Sequence, residues 1–83
     1  MKNKINIYME YKKEFNDLIK NCDLKTNSRT EIKKSICYWS NYFNVSKLEY
    51  IRRLKVYISF YRSFWVSLDT VNTLYEREKG KHK

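Results

Sequence analysis

Residues 46–66, SKLEYIRRLKVYISFYRSFWV, decide how the chain is organised. Ser46 stands three residues before Glu49, the spacing of a capping box, so a helix starts at Lys47. At helical spacing Tyr50, Ile51, Leu54, Tyr57, Ile58, Tyr61, Phe64 and Trp65 share one face about 140° wide. A face that broad must be covered by other elements. On the other side Arg52, Lys55, Ser59 and Arg62 recur at intervals of three, four and three, a stripe of cations and one hydroxyl.

Immediately upstream, Ile32, Ile36, Trp39 and Phe43 recur at four, three and four and define the apolar side of a second helix. Its start is marked by Ser28 with Glu31, again at capping-box spacing, with Thr30 as a rival cap. Lys33, Lys34 and Asn41 face away from its apolar stripe. Only Asn44-Val45-Ser46 separates this helix, ending at Phe43, from the one beginning at Lys47. Asn44 tolerates the left-handed conformation of a tight corner, Val45 can plug the space between helices, and Ser46 caps the second of them. That arrangement matches the sequence logic of a loose helix-turn-helix, in which the helix from Lys47 would be the recognition helix. Asn in place of Gly at the corner, and Trp39 and Ser40 where smaller residues usually allow close crossing, depart from the common pattern.

Towards the N-terminus, Tyr8, Tyr11, Phe15, Leu18 and Cys22 recur at three and four, with Ile19 beside them, and predict a first helix from about Ile5 to Cys22. Ile5, Ile7 and Met9 also alternate as a strand would, but no second strand candidate exists to satisfy its edges. Residues 23–28 read as a polar linker. Beyond Val66 there are two readings. Poor helix formers at 66–73 favour a break, with Val71, Leu74 and Tyr75 on a short fourth helix. Alternatively Leu68 and Tyr75 continue the face of Phe64 along one helix about 48 Å long, from Lys47 to Glu78. The expected fold is therefore all-α, a three- or four-helix bundle in one domain spanning 1–83, with residues 1–4 frayed and a basic tail at 79–83.

An 83-residue chain buries only roughly 60–65% of its unfolded surface. Eight Tyr, four Phe and two Trp exceed what so small a core can hide. A homodimer with Phe60, Phe64, Leu68, Val71 or Tyr75 at its interface is the expected outlet. No Pro, no Ala and a single Gly, beside abundant Lys, Asn, Ile and Tyr, reflect adenine- and thymine-rich codons, as in a virus or other mobile element.

The charge is +9, and between residues 28 and 66 eight basic residues meet two acidic ones. Such an excess favours polyanionic partners. Nothing resembles a signal peptide or membrane span, so the cytoplasm and no membrane role are expected. Cys22 and Cys37 are expected to be free thiols, and with His82 as the one histidine no metal site or other cofactor is expected. The carboxylates are scattered and no nucleophile-base arrangement can be assembled, so the chain does not read as an enzyme. The sequence points instead to a small nucleic-acid-binding regulator or accessory factor, for DNA rather than RNA, using Lys33, Lys34, Lys47, Arg52, Arg53, Lys55, Ser59 and Arg62. The alternative is an inhibitor or adaptor that binds a host protein through its aromatic and arginine-rich helical face.

Overall fold

The computed structural model describes residues 4–22 and 29–80, and these form four helices: α1 (Lys4–Asn21), α2 (Arg29–Tyr42), α3 (Lys47–Tyr61) and α4 (Phe64–Gly80). The protein is a small all-α bundle. The alternating stretch at Ile5–Met9 is helical, and among the described residues there is no strand. Ser28, residues 1–3 and the last three residues of the basic tail lie outside the described residues; Lys79 and Gly80 belong to α4.

The α2–α3 corner is built as its sequence suggests. Asn44 takes a left-handed φ of 57°, the Val45 amide donates to the Ser40 carbonyl at 2.9 Å, and half-buried Val45 packs against the core. Ser46 sits in the extended region and its Oγ accepts the Glu49 amide at 3.0 Å. Ser40 is fully buried at the end of α2, where a larger side chain would hold the helices apart.

The second corner differs from expectation in place and in consequence. The helix from Lys47 stops at Tyr61, not within 66–73 and not at Glu78, because Arg62 adopts a φ of 56° and donates its amide to the Ile58 carbonyl at 2.8 Å. α4 begins two residues later. Reversal folds the apolar side of α4 back onto α3, and Phe64, Leu68, Val71 and Tyr75 become core residues, exposed by 8% or less. This corrects the assignment of these four to a dimer interface: each is used up inside its own chain. Burying four such side chains is favourable by roughly 1.5–3 kcal/mol apiece, which outweighs the 1–2 kcal/mol or so of a non-glycine residue at positive φ.

α3 is the central element, contributing Tyr50, Ile51, Leu54 and Ile58 to a core completed by Phe15 and Leu18, Ile32 and Ile36, and the α4 residues. Trp39, Phe43 and Tyr57 pack at its edge, while Tyr8, expected on the apolar side of α1, is exposed. Among the described residues Tyr50 is the one large polar side chain fully inside, and its hydroxyl donates to Asn72 Oδ1. Partner numbers fix the directions. Arg52 faces Glu10 and Lys55 faces Glu14 and Asp17, so α1 and α3 run parallel. Tyr75 donates to Glu49 across a two-residue corner, so α4 returns antiparallel to α3. The end of α1, the start of α2 and the α3–α4 corner consequently share one end of the bundle.

Candidate nucleic-acid interface

The basic stripe of α3 is present, but the neighbouring helices claim most of it. Lys55 Nζ lies 3.1 Å from Glu14 and 3.5 Å from Asp17 and is largely covered by α1. Arg52 approaches Glu10 at 3.8 Å. Arg53 is held from the opposite side, 3.0 Å from Glu78 and with its guanidinium 4.6 Å from the centre of the Tyr75 ring. Partial burial alone would lower the Arg53 pKa; the Glu78 hydrogen bond with the charges of Tyr75, Glu78 and Glu49 reverses this and raises it. Ser59 is exposed but donates its hydroxyl to the Val56 carbonyl of its own helix. Arg62 is outside the helix altogether, at the left-handed corner, so it does not extend the stripe as the regular spacing implied. Lys47 is exposed at the start of α3.

These pairings have an effect on α1 that the α3 stripe alone does not reveal. On α1, Glu10, Glu14 and Asp17 recur at four and three on the flank that meets α3. Lys12 and Asn16, one turn apart, lie on the other flank, towards α2, and Lys20 a further turn on lies at the outer face. From α2, Arg29 donates to Asn16 Oδ1 and sits 5.6 Å from the centre of the Phe15 ring, with Lys33 at 5.4 Å from the same centre. Lys12, Lys13, Lys20, Arg29, Lys33 and Lys34 are all exposed. Glu31 lies two residues from Lys33, about 160° away around α2, so it does not join this seam. Packing against α3 has thus drawn the acidic side of α1 inward and left a basic α1–α2 seam. Of the residues expected at the interface, Lys33 lies here; Lys34, about 100° further around α2 and about 60° from Glu31, faces outward, and Arg52, Arg53 and Lys55 are held elsewhere. Lys12 and Arg29 were missed, although the helical spacing of α1 already sets Lys12 apart from the acids; Lys13 and Lys20 stand three or four residues from Glu10 and Asp17 and border the acidic flank instead.

Elsewhere the titratable groups serve the fold. Burial, opposed in part by Arg53 and assisted by Glu49, pushes the Tyr75 hydroxyl up to about 12, and burial pushes the Cys22 thiol up to about 11. Burial also raises Tyr50, against the lowering effect of its bond to Asn72. Cys22 and Cys37 are free and half-buried. Among the described residues no helix is long and apolar enough to cross a membrane.

The fold and this surface define a class, a four-helix domain with a cationic seam between its first two helices. No family model matches the chain, and no curated protein or solved structure matches it.

Proposed function

We propose that the chain is a small nucleic-acid-binding protein, an accessory or regulatory factor, whose α1–α2 seam lies along the phosphate backbone. The observation that carries this reading is the sorting of charge across α1: its three carboxylates are engaged by α3, so the cations of its other flank join those of α2. Phosphate contacts made by exposed lysines give affinity without base readout. Arg52, Arg53 and Lys55 contribute to packing of the bundle in this reading. Lys47 and Arg62 add cations outside the seam.

Titrating a labelled oligonucleotide at two salt concentrations tests the assignment. Lys12→Gln and Lys33→Gln are each expected to reduce the slope of log affinity against log salt by about 0.7–0.9, whereas Lys55→Gln leaves the slope unchanged. Binding weaker than about 100 μM near physiological salt, below even ordinary nonspecific association, would reject the reading.

A second reading has its own observation. Val56, Phe60, Tyr61, Trp65 and Val66 are about half exposed or more, within eleven residues around the α3–α4 corner. Trp, Tyr and Arg are enriched at protein-binding hot spots, so the corner suits a host protein or a second copy of the chain. Of the residues expected at a dimer interface Phe60 alone is free for it, at 74% exposure.

A further inference from the structure

The end of the bundle that carries the start of α2 and the end of α1 also carries the α3–α4 corner. There Phe60, Tyr61 and Trp65 are exposed by 74%, 50% and 48%, while Phe64 between them is buried and anchors the corner. Phe64 meets the Trp65 ring edge-on, with centroids 5.0 Å apart, and Tyr61 stacks on Tyr57 with centroids 6.5 Å apart. Tyr61 and Trp65 are therefore each backed by a neighbouring ring and half open to solvent, and Phe60 beside them is the most exposed of the three. Arg62, exposed, stands in the chain between Tyr61 and the Phe64–Trp65 pair. Lys20 lies one turn beyond Asp17, at the level of α3 just past Lys55, and Lys33 lies near the start of α2.

We propose that this end of the bundle holds single-stranded nucleic acid, with bases stacked on Phe60, Tyr61 and Trp65 and the backbone running past Arg62 towards Lys20 and Lys33. The inference rests on the nucleic-acid reading and names its substrate class. Open aromatic faces beside cations are how proteins hold single strands, because every unpaired base has a face to offer; in a duplex those faces are already stacked on one another. The other occupants fit less well. Insertion into a bilayer would bury Arg62 and Ser63 among the rings, which is costly for a guanidinium. A second copy would bring another +9 of charge to the same surface, whereas a polyanion is drawn to it.

Fluorescence anisotropy with a labelled thymidine strand of about 20 nucleotides and a duplex of the same length provides the test. The single strand is expected to bind at least about tenfold more tightly than the duplex. Phe60→Ala and Trp65→Ala should each weaken single-strand binding roughly 5- to 100-fold and leave duplex binding unchanged, while Lys33→Gln weakens both. All three positions are exposed, and unchanged circular dichroism confirms that the variants fold. Equal affinity for strand and duplex, or ring variants that bind the strand like wild type, overturns the single-strand inference and leaves the seam as a duplex site. Failure to bind either oligonucleotide overturns the parent reading as well. Association with anionic phosphatidylglycerol vesicles alone, or a dimer in light scattering that Trp65→Ala dissociates without any strand binding, would assign the rings to those occupants instead.

Discussion

Both tight corners of the chain turn on a non-glycine residue at positive φ, Asn44 at 57° and Arg62 at 56°, yet different forces hold them. The α2–α3 corner is local. Asn is among the few residues for which the left-handed region is accessible at little cost, and Ser46 receives the Glu49 amide at a normal 3.0 Å. At the α3–α4 corner the local terms are poor. Arg has no side-chain bond that eases a positive φ, and Ser63, in the capping position for α4, accepts the Val66 amide only at 3.4 Å. What closes this corner is the burial of Phe64, Leu68 and Val71 against α3. A turn can thus be written in the residues that form it or imposed by the surfaces it brings together.

The contrast is sharpest at the rings beside each corner. Phe64→Ala is expected to cost about 3–5 kcal/mol, and Phe43→Ala, whose ring is only half-buried, roughly half as much. Since a domain of this size has a total stability of only about 5–15 kcal/mol, Phe64→Leu provides a measurable fallback if the alanine variant does not fold. Equal losses for the two rings in urea denaturation would show that tertiary burial does not distinguish the corners.

The caps come next in size. Ser46→Ala should lose about 1 kcal/mol, and Ser63→Ala only a few tenths, because its hydrogen bond is long. The reverse order, read from denaturation midpoints at constant m, would mean that the second corner is locally encoded after all.

The smallest expected effect has the opposite sign. Arg62→Gly should stabilise the protein by about 0.5–1 kcal/mol by relieving the positive φ, whereas Asn44→Gly should stay within about 0.5 kcal/mol of wild type. Destabilisation by Arg62→Gly would show that the Arg62 side chain contributes contacts that outweigh its backbone strain.

The same division separates the readable and unreadable parts of the site. The apolar spacing of residues 50–58 identified the core face of α3, and Tyr50, Ile51, Leu54 and Ile58 are buried as that spacing requires. Periodicity also identified the opposite stripe as basic. It could not show that Arg52 and Lys55 would meet carboxylates some forty residues earlier in the chain, or that Arg53 would meet Glu78, because each pairing depends on where another helix packs.

By itself the sequence determined the helical class, the capped start of α3 and the α2–α3 turn, since all three rest on interactions between residues a few positions apart. It also determined the charge of +9, which no folding can change. Where α3 ends, which apolar residues are spent on the core, and which cations remain on an open surface were decided by the tertiary structure. Those outcomes depend on competition among distant partners for one small interior: Phe64, Leu68, Val71 and Tyr75 won places in it, and Phe60, Tyr61 and Trp65 were left outside.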